Sequence, residues 1–154
     1  MPGEPVIVSF GRNECKPGCI FACGIEEAIS VYEVSSEVTF SAAHHLRNYR
    51  GPCENIHGHN WRVRAFVRGE DLNELGIAID FKALKAHMAA VVEPLDHADL
   101  NAFFDALDIN PSSENLARYI YKELEKALAS TPCAVARIEV YETPTNCAAY
   151  FEHA

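Results

Sequence analysis

The sequence predicts an α+β fold, in which two helices pack on one face of a four-stranded antiparallel sheet. Residues 32–44 and about 56–68 alternate apolar and polar side chains with a period of two, as half-buried strands do. Two further strand-like stretches, about 133–142 and 147–153, end the chain, and two segments with helical spacing lie between the pairs. The order strand, strand, helix, helix, strand, strand favours an antiparallel sheet covered on one side.

The composition is that of a single globular domain. The chain has 154 residues, of which 49% are apolar and 23% charged. We expect residues 1–30 to form an N-terminal extension of unknown role and residues 31–154 to form the domain. A formal charge of −9 argues against a general nucleic-acid or anionic-membrane binder, although a local basic patch can still hold an anionic small molecule.

The chain also shows no sign of membrane insertion or export. No apolar run approaches the ~20 residues that a membrane-spanning helix needs. The first residues, 1–4, lack the basic region of a secretory signal. A cytoplasmic location is therefore predicted, and in a reducing compartment cysteines more often serve metals or catalysis than crosslinks.

Strand parity selects one of two adjacent histidines in the first strand. Val38, Phe40 and Ala42 share the apolar parity, and continuing it places His44 inward and His45 outward. We therefore expect the His45 ring to lie at the loop, either solvated or hydrogen-bonded. His44 is predicted to face the core.

Two more histidines carry the inward parity of the second strand. His57 and His59 alternate in step with the apolar residues Trp61 and Val63. Buried neutral imidazoles without partners are costly, and a metal ion is the simplest way to satisfy them. Three histidines with an open fourth position are typical of catalytic zinc. The alternative is that HGH at 57–59 is a polar turn whose rings are incidental.

The helices and the third strand supply the remaining framework. Asp80 is a good N-cap for a first helix that Pro94 ends, and PSSE at 111–114 opens a second helix with capping hydroxyls and an early acid. In the third strand, the face shared by Ala134, Ala136, Ile138 and Val140 is predicted to be buried. Glu142 continues this parity, and a carboxylate at the end of a buried face is either functional or paired.

The cysteines leave alternatives open. Cys53 is either a fourth zinc ligand, which would close the site and make it structural, or a catalytic thiolate activated by a nearby cation. The spacing along the chain does not distinguish between these two roles of Cys53. Cys15, Cys19 and Cys23 form a C-x3-C-x3-C series in a segment broken by Pro17 and Gly18, for which ordinary thiols are the favoured interpretation over metal or redox chemistry.

Five short motifs occur in order along the chain: FSAAH at 40–44, C-x3-HGH at 53–59, LDH-x2-LN at 95–101, PSSENL at 111–116 and ETPTN at 142–146. Together they resemble the 6-pyruvoyl-tetrahydropterin synthase / 6-carboxytetrahydropterin synthase family. The resemblance covers roughly residues 32–152 and implies a tunnelling fold (T-fold). In that fold the subunits join their sheets into trimeric barrels, and two barrels stack as a homo-hexamer.

The resemblance also implies roles for individual residues. It implies Zn²⁺ on His44, His57 and His59, in agreement with the parity argument. Cys53 would be the catalytic proton acceptor, with relay residues reaching in from a neighbouring subunit. The implied relay and substrate-binding residues are Asp96 and His97 for the relay, Glu142 for anchoring the pterin, and Ser112, Ser113 and Glu114 beside it.

The implied substrate is 7,8-dihydroneopterin triphosphate, and the implied product is 6-carboxy-5,6,7,8-tetrahydropterin on the pathway to queuosine. Glu54 directly follows Cys53, so the segment also resembles E-x2-HGH members that form 6-hydroxymethyl-7,8-dihydropterin for folate synthesis. The alternatives are a 6-pyruvoyl-tetrahydropterin synthase proper and, from another class, a non-catalytic zinc-stabilised binding module. The arginines considered for the triphosphate are Arg47, Arg50, Arg62 and Arg64, although a solvated strand face is the simpler interpretation of each.

Overall fold

The computed structural model of the protein describes residues 30–153. Four strands form one sheet in the order β1-β2-β3-β4, and each neighbouring pair is antiparallel. The strands are β1 Tyr32–His44, β2 His57–Gly69, β3 Ala134–Tyr141 and β4 Cys147–Tyr150. The α-helices are α1 Phe81–Val92, α2 Leu100–Phe103 and α3 Ser113–Leu128. The predicted fold class is confirmed, with a shorter last strand and an additional one-turn helix, α2.

Most of the predicted N-terminal extension lies outside the described residues, including Cys15, Cys19 and Cys23. Within residues 30–153, no helix is both long and apolar enough to cross a lipid bilayer.

The pairing of β1 with β2 aligns the predicted inward positions. Phe40 stands opposite Trp61, Ala42 opposite His59, and His44 opposite His57. Opposed residues of an antiparallel pair project from the same face, so all of these side chains leave the sheet on one side. That side carries the core, where Trp61 is fully buried and Phe40 almost so.

Helices α1 and α3 cover this face of the sheet. The Asp80 carboxylate caps α1 by accepting hydrogen bonds from the backbone N–H groups of Lys82 and Ala83, and the Ser112 hydroxyl caps α3. Both predicted starts are confirmed. Each helix turns one apolar stripe to the sheet. The buried stripe residues are Leu84, Met88, Val91 and Val92 in α1, and Leu116, Ala117, Ile120, Tyr121, Leu124 and Leu128 in α3.

The predicted face of β3 is wrong at its start. Val135 is buried, whereas Ala134 is exposed. The cause is a β-bulge: Phe66 pairs with Arg137 but Val67 pairs with Val135, so the register skips Ala136. Ile138 and Val140 lie after the bulge and face the core as expected.

A segment from the α1–α2 connection lies along the outer edge of β1. The Asp96 carboxylate accepts from the Ser41 backbone N–H at 2.8 Å, and the His97 N–H donates to the Ser41 carbonyl at 2.6 Å. The Ala43 N–H then donates to the Ala98 carbonyl at 3.1 Å. Residues 96–98 therefore satisfy an edge that would otherwise present unpaired backbone groups.

Candidate metal centre and adjoining cavity

Three histidines and one glutamate converge where β1 ends and β2 begins. His44 ends β1, while His57 and His59 start β2, so the β1–β2 pairing itself brings the rings together. Glu142 follows β3 and reaches the same point. One ligand atom from each of the four side chains lies within 4.8 Å of the other three. The predicted triad is thus assembled, and Glu142 joins it.

Two of the rings are held in the tautomer that a metal requires. The Nδ1 atom of His44 lies 2.7 Å from the Pro111 carbonyl oxygen, and the Nδ1 atom of His57 lies 2.7 Å from the Asn55 carbonyl oxygen. A carbonyl can only accept, so both Nδ1 atoms carry the proton. The lone pair is left on Nε2 of each ring, which is the arrangement that orients metal-binding imidazoles.

The remaining polar atoms of the cluster are poorly satisfied by the protein itself. Within residues 30–153, the buried Nε2 atoms of His44 and His59 have no hydrogen-bond partner. Glu142 Oε1 lies 3.7 Å from His44 Nε2 and 2.9 Å from His59 Nε2, but these approaches do not meet hydrogen-bond geometry. Orphaned nitrogens facing a carboxylate are what a divalent cation would satisfy.

Burial favours the neutral form of His44. Desolvation lowers the pKa of His44, and the neighbouring His57 and His59 lower it further. The hydrogen bond to Pro111 and the Glu142 carboxylate oppose this shift without reversing it. Because only a neutral imidazole binds a metal, the cluster is suited to a nitrogen-preferring ion such as Zn²⁺.

A cavity of about 250 Å³ adjoins the cluster. Its wall is formed by the end of β1, the loop before β2, the start of α3 and the β3–β4 turn. It brings together six residues that the sequence singled out, and the lining comprises His44, Leu46, Cys53, Ser112, Ser113, Glu114, Glu142, Asn146, Cys147 and Ala148. The Ser113 hydroxyl donates to Glu142 Oε2 at 3.3 Å, and this hydrogen bond holds the carboxylate beside the three histidines.

Three of the predicted catalytic residues do not line this cavity. Glu54 is exposed in a short 3-10 turn. Asp96 and His97 lie at the β1 edge, where the His97 side chain is 82% exposed and its Nδ1 is 3.0 Å from Asp96 Oδ2. The Ser41 N–H lowers the pKa of Asp96, and the His97 hydrogen bond adds to this effect.

The arginines considered for phosphate binding are mostly engaged elsewhere. Arg47 pairs with Asp105 and Asp108, and Arg62 pairs with Glu37 across the strands. Arg64 donates to Ser35, and its guanidinium lies over the Phe66 ring. The contacts of Arg62 and Arg64 on β2 agree with the simpler interpretation of a solvated strand face, whereas Arg47 lies in the loop after β1.

The sequence interpretation assigned no role to two asparagines beside the site. Asn101 is buried and hydrogen-bonds the backbone of His45, and Asn110 does the same for Arg47. Asn101 belongs to the LDH-x2-LN motif, and a polar residue within an otherwise apolar turn was the available signal. Asn110 carried no comparable signal.

The fold and the cluster define a T-fold protein with a histidine-rich candidate metal centre. Residues 33–153 match the sequence profile of 6-pyruvoyl tetrahydropterin synthase. This match covers most of the chain, and the chain belongs to that family.

Relatives in the family carry two enzyme names. The chain is 39% identical over 124 residues to the 6-carboxy-5,6,7,8-tetrahydropterin synthase of Synechocystis sp., covering 77% of this chain and 92% of the relative. It is 35% identical over 133 residues to the human 6-pyruvoyl tetrahydrobiopterin synthase, covering 77% and 90%. The Caenorhabditis elegans 6-pyruvoyl tetrahydropterin synthase structure superposes with a TM-score of 0.70 at 27% identity, covering 81% of this chain and 98% of that one.

Proposed function

We propose that the protein is a zinc-dependent pterin synthase that converts 7,8-dihydroneopterin triphosphate to 6-carboxy-5,6,7,8-tetrahydropterin in the cytoplasm. The observation that carries the proposal is the convergence of His44, His57 and His59 beside a cavity that contains Cys53 and Glu142. The relative of that name at 39% identity supports the choice of product.

The three histidines would hold Zn²⁺ through their Nε2 atoms. The bound ion would act as a Lewis acid, polarising the side-chain oxygens of the substrate and making the adjacent carbon-bound protons more acidic. The Pro111 and Asn55 carbonyls support this role by fixing the rings of His44 and His57. In the carboxytetrahydropterin reaction the substrate takes up one water molecule and loses triphosphate and acetaldehyde.

Glu142 would anchor the pterin ring. A carboxylate can accept two parallel hydrogen bonds from the guanidine-like N–H groups of a pterin, a paired geometry that also carries charge assistance. The Ser113 hydroxyl already holds one of its oxygens, which limits the rotation of the carboxylate. Ser112 and Glu114 line the same cavity and would contact the bound substrate.

Cys53 would accept the proton from the substrate carbon. It is half-buried in the cavity wall, where a nearby cation would favour the thiolate. Asp96 and His97 would complete the relay in the site of a neighbouring subunit, in a homo-hexamer built as a dimer of trimers. Their exposed position at the β1 edge, away from the cavity of their own chain, supports a contribution across an interface.

Two other reaction products are alternatives to 6-carboxytetrahydropterin. The human relative favours 6-pyruvoyl-tetrahydropterin, and Glu54 beside Cys53 favours 6-hydroxymethyl-7,8-dihydropterin for folate synthesis. Glu54 is exposed and does not line the cavity, so the carboxytetrahydropterin reaction of queuosine synthesis is the better supported one.

The direct test supplies zinc-loaded protein with 7,8-dihydroneopterin triphosphate and identifies the products by mass spectrometry. We expect 6-carboxytetrahydropterin and acetaldehyde. Hydroxymethyldihydropterin alone would replace the queuosine assignment with the folate one, and pyruvoyl-tetrahydropterin alone would assign the biopterin reaction. No turnover at full zinc occupancy would reject the enzyme proposal.

A further inference from the structure

The chain after β1 keeps a strand-like pattern of backbone bonding, although no strand among residues 30–153 lies beside it. The Asn101 side chain accepts from the His45 N–H at 2.8 Å and donates to the His45 carbonyl at 2.9 Å. One side-chain amide thus satisfies both backbone groups of a residue, as a residue of a neighbouring strand would.

Asn110 repeats this arrangement two residues further along. Its side chain accepts from the Arg47 N–H at 2.7 Å and donates to the Arg47 carbonyl at 3.1 Å. The backbone groups of Ser41, Ala43, His45 and Arg47 alternate along one edge, and residues 96–98 serve the first two. The two asparagines therefore extend the outer edge of β1 by three residues beyond His44.

The opposite edge of this extension carries the loop with the thiol. The Leu46 N–H, between the two clamped residues, donates to the Cys53 carbonyl at 2.8 Å. Backbone groups alternate in direction along an extended segment. When the backbone groups of residues 45 and 47 face the asparagines, the Leu46 N–H therefore points to the opposite side, toward Cys53. The position of Cys53 thus depends on the two amides.

Both asparagines are themselves fixed. The Asn101 N–H donates to the Asp99 carboxylate at 2.9 Å, and only 5% of Asn101 is exposed. Asn115 in α3 donates from its side chain to the Asn110 carbonyl at 2.8 Å. The clamps therefore connect the thiol loop to α2 on one side and to α3 on the other.

We propose that Asn101 and Asn110 are positioning residues that hold Cys53 at the metal cluster. The identity of Cys53 as the proton acceptor rests on the proposed function, but its position does not. His44 is held by two further contacts, the hydrogen bond to the Pro111 carbonyl and the pairing with His57. Loss of a clamp should therefore misplace the thiol and leave the metal bound.

The test compares Asn101→Leu, which is close in volume but has no amide, with the milder Asn110→Ala at a half-buried position. Val91→Ala at the end of α1 is the control for general destabilisation. Alkylation of Cys53 by iodoacetamide is followed by peptide mass spectrometry in folded, zinc-loaded protein, with buried Cys133 as the internal reference. Zinc content, kcat and KM are measured on the same samples.

We expect both asparagine variants to raise the alkylation rate of Cys53 relative to Cys133 by about fivefold or more, since a released loop opens locally. Zinc content should stay at the wild-type level, and kcat should fall while KM changes little. An unchanged Cys53 rate in folded variants, or an equal increase in Val91→Ala, would overturn the proposal. Altered alkylation in the asparagine variants, together with a zinc-loaded wild type that shows no turnover, would reject the proposed function and leave the positioning role intact. If Asn101→Leu does not fold, Asn110→Ala decides.

Discussion

At the residue scale, the choice between His44 and His45 shows what the alternation of side chains along a strand can predict. The period-two pattern of β1 placed His44 inward, and the structure brings its ring into the cluster with His57 and His59. The pattern could not reveal the Pro111 carbonyl that fixes the ring, because that contact joins residues 67 positions apart in the chain. The asparagine clamps were missed for the same reason.

The two adjacent histidines offer a matched pair of variants. We expect His44→Ala to reduce the bound zinc severely, since a three-histidine site with one ligand removed keeps only two protein donors. His45→Ala should bind zinc like the wild type, because only the backbone of His45 takes part in the contacts beside the site. Metal analysis after gel filtration measures both. Equal zinc contents in the two variants would contradict the assignment of His44.

Glu142→Gln tests the anchoring carboxylate separately from the metal. Glutamine offers one acceptor and one donor where the carboxylate offers two acceptors, so binding of dihydroneopterin should weaken by about tenfold or more, given the ~1.5–3 kcal/mol of a charge-assisted hydrogen bond. Zinc content should be retained. Calorimetric titration measures the affinity, and Glu123→Gln on the outer side of α3 is the control. Wild-type affinity with reduced zinc would instead make Glu142 a metal ligand.

At the element scale, caps and alternation predicted most boundaries, and pairing irregularities account for the errors. Asp80 and Ser112 marked the helix starts correctly because each side chain bonds the first turn locally. The bulge at Ala136 arises from pairing with β2, so the local pattern of β3 could not predict it. Helix α2 has a single turn, too short for a helical period to be recognised.

The segment beside the β1 edge gives a prediction at this scale. Asp96→Ala removes the acceptor of the Ser41 N–H, so hydrogen exchange of that amide should accelerate by roughly tenfold or more, as for other edges that open locally. Asp96→Asn retains an acceptor oxygen and should leave the rate near that of the wild type. Exchange measured by NMR resolves the Ser41 amide, with Ala43 as the neighbouring reference. If the Ser41 amide exchanged at the wild-type rate in Asp96→Ala, the assigned hydrogen bond would be contradicted.

At the scale of the whole molecule, the position of the proposed relay residues favours an assembly of several subunits. The cavity holds Cys53 and Glu142, whereas Asp96 and His97 lie at an outer edge of the sheet. In the proposed homo-hexamer, β4 and the part of β1 before Ser41, which residues 96–98 do not cover, provide edges on which subunits can pair. The motif resemblance predicted this division of the site between subunits. The hydrophobic periodicity of a single chain gives no information about contacts between subunits.

Sedimentation velocity tests the assembly. We expect the purified protein to sediment as a hexamer over the micromolar range, because edge pairing and site sharing both require the assembled form. Mixing Cys53→Ala with Asp96→Ala chains should restore part of the activity that each variant lacks, since mixed interfaces contain some intact sites. A monomer with full turnover would contradict the shared site.

In the proposed enzyme, three histidines bind the metal while Cys53 performs the chemistry. Zinc content and turnover of Cys53→Ala separate these two roles. We expect about one zinc ion per chain, as in the wild type, because three histidine ligands remain, together with loss of product formation from 7,8-dihydroneopterin triphosphate. Loss of zinc in Cys53→Ala would contradict it and would make the site a closed structural one with Cys53 as the fourth ligand.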